Sequence, residues 1–88
     1  MEQFRRKIDN VDRQLVEMLA ARMALVEKLA EYKRDNNVTL FQPDRWKEIL
    51  KTRAELGGRL GLYPELVEEI YKIIHMESIR KQTEVMNN

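Results

Sequence analysis

No cysteine occurs in the 88-residue sequence, and histidine occurs once. These absences exclude a disulfide scaffold, thiol chemistry and zinc-finger ligation, and leave little for a histidine-based metal site. Glycine (three) and proline (two) are scarce, and the aromatics are two Phe, three Tyr and one Trp. A β-sandwich or barrel needs many turns, so neither is expected. No apolar run approaches the roughly 20 residues of a membrane span. The N-terminus is charged from Glu2 onward and does not read as a signal peptide, so the expectation is a cytoplasmic protein with no membrane partner. A formal net charge of +1 gives no global attraction to nucleic acid or to anionic lipid. Charge of both signs is what the chain has in quantity, at 35% of residues beside 43% hydrophobic. That balance suits an all-α domain. A single domain over residues 1–88 is expected, small enough that a lone core would be marginal.

Apolar positions locate the helices. From Glu2 to about Asn36 there is no Gly or Pro, and Phe4, Ile8, Val11, Leu15, Met18, Leu25, Leu29 and Tyr32 recur at alternating spacings of three and four. Asp35, Asn36 and Asn37 favour a helix end, and Val38 to Phe41 read as an extended connection. Pro43 suits the first turn of a second helix. That helix carries Trp46, Ile49, Leu50 and Arg53 on one side and is expected to stop near Gly57 and Gly58, with Gly61 punctuating the connection. Pro64 opens a third helix that runs to about Val85. A first helix of that length spans about 52 Å, whereas a compact domain of this size is roughly 30 Å across. Its apolar stripe therefore predicts a partner, most simply an intertwined homodimer.

Polar residues interrupt the apolar faces. Ile8, Leu15 and Leu29 share one heptad position, and Arg22 falls between them. A charge inside an apolar seam is costly unless something pairs with it. Two readings stand: an internal ion pair, for example with Asp12 of a partner helix, or an anion site within the bundle. Arg5 and Lys33 border the same seam. On the third helix Val67, Tyr71 and Ile74 continue at helical spacing into Ser78 and Gln82, so an apolar stripe ends in a hydroxyl and an amide. Either that end frays into solvent or the two groups serve a site. Arg45 lies in the first turn of the second helix, where the dipole disfavours a cation, so it gains more from a bound anion than from its own helix. Arg22 and Lys33 are about 16 Å apart along the axis and could grip a small ligand between them, while Arg5 lies about 25 Å from Arg22 and reaches such a ligand only from an antiparallel partner. His75 reads as a polar boundary residue with no assigned chemistry.

At this point the residues form a familiar pattern. The run from Phe4 to Lys33, FRRKIDNVDRQLVEMLAARMALVEKLAEYK, resembles the first helix of AroQ-type chorismate mutases. QPDR, ending at Arg45, resembles the start of their second helix, and HMESIRKQ, His75 to Gln82, their third-helix Ser-x-x-x-Gln. The resemblance covers nearly the whole chain in order. It implies three helices per chain in an intertwined six-helix homodimer, with chorismate as substrate and no cofactor. It further implies that Arg22 and Arg45 bind the substrate carboxylates together with Arg5 from the partner subunit, and that Ser78 supports a carboxylate contact. Lys33 and Gln82 are implied as the catalytic pair on the ether oxygen. One departure stands out: many members carry Glu directly after the arginine that matches Arg45, where it contacts the substrate's ring hydroxyl, and here Trp46 stands there. Gln42 replaces a common Asp, and Glu48, one turn beyond Arg45, is the candidate substitute for the missing acid. FQPDRW also resembles mutase domains fused to DAHP synthases, so a fused or associated DAHP synthase is a further expected partner.

The residue types suit the implied reaction, a concerted unimolecular shift that needs no nucleophile. Arginine forks bind carboxylates in a bidentate manner and are always charged. A Lys ammonium and a Gln amide stabilise negative charge growing on the ether oxygen. Because Gln82 donates in every protonation state, a flat rate from about pH 6 to 8 is expected. Two other classes stay open: an isochorismate–pyruvate lyase with the same clamp, and a non-catalytic module that senses chorismate or prephenate for an attached synthase.

Overall fold

The computed structural model describes all of residues 1–88. It contains three helices, α1 (Glu2–Asp35), α2 (Pro43–Arg59) and α3 (Pro64–Met86), and no strands. The all-α expectation holds, and the predicted ends fall within a residue or two. No helix is long and apolar enough to cross a membrane.

Helix α1 closes as the Asx-rich segment predicts. Asn37 adopts a left-handed φ of 54°, which Asn tolerates better than most residues. The Val38 N–H then bonds back to the Lys33 carbonyl at 2.8 Å, the long bond of a Schellman-type ending. Helix α2 ends one residue beyond its glycine pair. It runs through Gly57 and Gly58, and the left-handed residue is Gly61, at φ 87°. Leu62 N–H bonds to the Gly57 carbonyl and Gly61 N–H to the Gly58 carbonyl, so Gly61 is the true stop. Gly57 has a different task. A Cβ there would run into Val67 Cγ2 and lie 3.4 Å from Val67 Cβ, so its bareness lets α2 approach α3 closely. Packing, not helix termination, accounts for that glycine.

Helix α3 is central and packs on both α1 and α2, while the backbones of α1 and α2 stay apart. The resulting shape is long, with extents of 52 × 25 × 14 Å, and the long axis matches the about 51 Å expected of a 34-residue helix. The radius of gyration is 15.7 Å, against about 12 Å for a compact domain of this length. Every residue from Met1 to Ala21 is exposed in the single chain. That includes Phe4, Ile8, Val11, Leu15 and Met18 of the predicted stripe, each more than half exposed.

Only nine of the 88 residues are buried, and no large side chain is fully buried. Three of the nine are Lys33, Ser78 and Gln82. The polar end of the α3 stripe therefore packs inside the chain, not out in solvent.

Candidate active site

A cavity of about 460 Å³ opens between α1 and α2, floored by α3. Helix α1 contributes Arg22, Val26, Leu29 and Lys33, which lie on one face at spacings of four, three and four. Helix α3 contributes His75, Ser78, Ile79 and Gln82 in the same manner. The 38–42 connection and the first turns of α2 close the third side with Phe41, Gln42, Arg45 and Trp46. Of the eight site residues expected from sequence, six line this cavity: Arg22, Lys33, Gln42, Arg45, Ser78 and Gln82.

Two hydrogen-bonded relays connect α1 to α3. Arg22 Nη1 donates to Ser78 Oγ at 3.0 Å, and Ser78 donates in turn to the Ile74 carbonyl at 2.8 Å. The Arg22 guanidinium also lies 5.8 Å from the centre of the Tyr71 ring, a cation–π distance. One turn further along α3, Lys33 Nζ donates to Gln82 Oε1 and to the Leu40 carbonyl, both at 2.8 Å. Lys33 and Gln82 are 7% and 5% exposed. An ammonium has three donors, so one remains for a ligand. The Gln82 carbonyl is occupied by Lys33, which turns its NH₂ away as a free donor. No buried side-chain polar atom lacks a partner, so that NH₂ opens to the cavity surface.

Electrostatics point to an anion. Arg22, Lys33 and Arg45 line the cavity, and no Asp or Glu does. No carboxylate lies within ion-pair distance of Arg22 or Lys33 in the chain. Of the two readings of Arg22, the chain itself provides no internal ion pair. Burial pushes the Lys33 ammonium below the ordinary lysine value, the direction expected of a cation awaiting a counter-charge.

Two expected residues lie elsewhere. Arg5 sits far along α1, exposed and paired with Glu2 at 3.3 Å, so it does not reach the cavity of its own chain. Glu48 is exposed, forms an ion pair with Arg45 and does not line the cavity. Within one chain Glu48 therefore holds Arg45 and is not placed to meet a ligand.

Sequence reading missed an aromatic wall. Trp46 and His75 stack with ring centres 4.0 Å apart and planes 14° from parallel, and Phe41 tilts against His75 at 5.8 Å. The partners come from α2, α3 and the connection before α2, so no local pattern signals the contact. The one available cue was that the single Trp directly follows Arg45 in the first turn of α2. Burial, and secondarily the charge of Arg22, push the His75 imidazolium below its ordinary value, which favours the neutral ring.

With this geometry in hand, the comparisons with known proteins are specific. The family model described as chorismate mutase type II matches residues 4–83. The chain is 32% identical over 83 residues to the "Bifunctional chorismate mutase/prephenate dehydratase" of Buchnera aphidicola subsp. Acyrthosiphon pisum, covering 94% of this chain and 22% of that protein. It is 25% identical over 84 residues to the "4-amino-4-deoxychorismate mutase" of Streptomyces pristinaespiralis, covering 96% of this chain and 65% of the relative. It is also 25% identical over 84 residues to the "Chorismate mutase" of Methanocaldococcus jannaschii, covering 93% of this chain and 85% of the relative. The chain thus spans about a fifth of the length of the bifunctional relative and most of the length of the archaeal one. The chain belongs to the chorismate mutase type II family.

Proposed function

We propose that this chain catalyses the rearrangement of chorismate to prephenate, the isomerase step toward phenylalanine and tyrosine, in the cytoplasm. The observation that carries this reading is a cavity with three cations, no acidic lining, and a Lys33–Gln82 pair with donors left over. Chorismate is a dianion with two carboxylates and an ether oxygen between its reacting halves. Arg22 and Arg45 take the carboxylates, with Arg22 steadied by Ser78 and Tyr71. To grip a ligand Arg45 relinquishes Glu48, an exposed pair of little net strength. Holding both carboxylates compacts the substrate so that its reacting carbons approach. As the C–O bond breaks and the new C–C bond forms within the same molecule, negative charge grows on the ether oxygen. The third Lys33 donor and the Gln82 NH₂ stabilise that charge more in the transition state than in the substrate.

The working unit in this proposal is a homodimer. Residues 1–21 of α1 have no cover within the chain, and each large apolar side chain buried on association contributes about 1.5–3 kcal/mol. An antiparallel partner α1 also carries Arg5 to the far end of the cavity. The family relationship and the FQPDRW segment extend the proposal to a DAHP synthase, fused or associated, as a second partner.

The experiment is direct. The purified protein is mixed with chorismate, the loss of chorismate absorbance is followed, and the product is identified. Prephenate supports the reading. Salicylate and pyruvate from isochorismate, with no prephenate from chorismate, would replace it with a lyase, and binding without turnover would replace it with a sensor.

A further inference from the structure

Chorismate also carries a ring hydroxyl, and the carboxylate and ether contacts proposed above leave it unassigned. Most polar side chains of the cavity are already engaged: Arg22 with Ser78, Lys33 with Gln82, and Arg45 with Glu48. His75 is different. Neither of its ring nitrogens has a hydrogen-bond partner, although the ring stacks on Trp46, tilts against Phe41 and lines the cavity. Since no buried side-chain polar atom is left unpaired, those nitrogens are accessible. The parallel stack on Trp46 and the tilted contact with Phe41 hold the plane of the imidazole where the ring lines the cavity.

We propose that His75, oriented by its stack on Trp46, contacts the ring hydroxyl of the substrate and selects for a hydroxyl over an amine at that position. This rests on the mutase reading above. The chemistry matches on two counts. A neutral imidazole offers one donor and one acceptor, and a hydroxyl offers the same two functions, whereas an ammonium can only donate. Burial and Arg22 both favour the neutral ring. In addition, an ammonium would enter a cavity lined by three cations and no protein carboxylate, which disfavours a further positive charge. His75 is thus a specificity-determining residue and Trp46 a positioning residue.

The test compares kcat/KM for chorismate and for 4-amino-4-deoxychorismate. The wild-type protein is expected to prefer chorismate by about 10²-fold or more. His75→Phe keeps an aromatic ring for Trp46 but removes both nitrogens. It should lower kcat/KM for chorismate about 10- to 100-fold and leave the amine rate within about threefold, so the preference narrows by the same factor and only the part set by the cations remains. His75→Gln restores a donor and an acceptor and should recover much of the preference, and Trp46→Leu should erode it with little change in the rate on the amine. An unchanged preference in both His75→Phe and His75→Gln overturns the assignment of His75. A wild-type protein that converts neither compound overturns the mutase reading and this inference with it. One that converts chorismate, yet whose His75 variants keep its preference, overturns this inference alone.

Discussion

Lys33→Met keeps the length of the side chain and removes its charge, and it separates a catalytic Lys33 from a structural one. In the folded chain the Lys33 ammonium is 7% exposed and donates to Gln82 and to the Leu40 carbonyl. Losing two hydrogen bonds from a charged donor costs about 1.5–3 kcal/mol each. Against that, methionine removes the desolvation penalty of a buried cation, which is several kcal/mol. The two effects nearly offset, so the unfolding free energy should change by less than about 2 kcal/mol in either direction. Activity has no such compensation. Without the ammonium, the ether oxygen loses its charged donor and the Gln82 carbonyl is left free to rotate toward it. A loss of about 10²–10³-fold in kcat, about 3–4 kcal/mol of barrier, is expected. A pH series adds an independent check. Because folding lowers the Lys33 pKa, the folded protein binds fewer protons than the unfolded chain between the folded value and the ordinary one. Stability from this group is therefore lowest at neutral pH and rises as pH increases through the folded pKa. The wild-type protein should gain on Lys33→Met as pH rises toward 10. Urea unfolding at fixed protein concentration, paired with steady-state kinetics, measures both. A variant within tenfold of wild-type kcat but destabilised by more than 4 kcal/mol, by the scale of about 3–5 kcal/mol for breaking a buried ionic contact, would refute the catalytic role.

The lowered Lys33 pKa also predicts an alkaline limb in kcat/KM below the ordinary lysine value, since that parameter reports the free protein. The limb in kcat should lie at higher pH, because a bound dianion supports the ammonium; coincident limbs would count against Lys33 as the titrating group. Gly57→Ala and Gly58→Ala place the same methyl one residue apart in α2. Both gain about 1 kcal/mol of helix propensity, but Gly57→Ala collides with Val67 while Gly58→Ala meets only Pro64 Cγ at 3.8 Å. Overpacking of about 1–3 kcal/mol should make Gly57→Ala the less stable of the two, and equal melting temperatures would contradict the close approach. Mixing inactive Arg5→Ala with inactive Lys33→Ala chains and allowing exchange should restore one complete site per heterodimer, about a quarter of wild-type activity for random pairing. No recovery, with exchange verified by mass, would remove Arg5 of a partner subunit from the site.

Helix period and helix-breaking residues made much of this architecture readable before any coordinates. Arg22 could be flagged because it breaks a heptad stripe, and Ser78 and Gln82 because they continue one; both are one-dimensional signals. The end of α2 was legible to about a residue, but the role of Gly57 was not, because a glycine pair looks the same in sequence whether it stops a helix or admits a neighbour. Only the position of Val67 on another helix tells the two apart. The Trp46–His75 stack joins residues 29 positions apart and obeys no local rule. The Leu40 carbonyl that anchors Lys33 is a backbone group, which no reading of side chains can locate. Glu48 was a reasonable candidate from its place one turn beyond Arg45, and that same proximity ties it to Arg45.

Core and site are largely the same atoms in this small chain. Of nine buried residues, Lys33, Ser78 and Gln82 belong to the candidate site, and two of the bonds that hold α1 to α3 are Arg22–Ser78 and Lys33–Gln82. A site built this way is preorganised, because donors that must aim at a ligand are already fixed by folding. It is also costly, because cations are held together with no acid in the cavity to balance them. A dianion bound there would relieve that repulsion and, binding only the folded form, should stabilise the fold by RT ln(1 + [L]/Kd), about 2.7 kcal/mol at a hundredfold excess over Kd. For the same reason the stabilisation should fade as Lys33 loses its proton at alkaline pH. A protein whose melting temperature rose equally with a neutral analogue of the substrate would not be using its cations as the geometry implies.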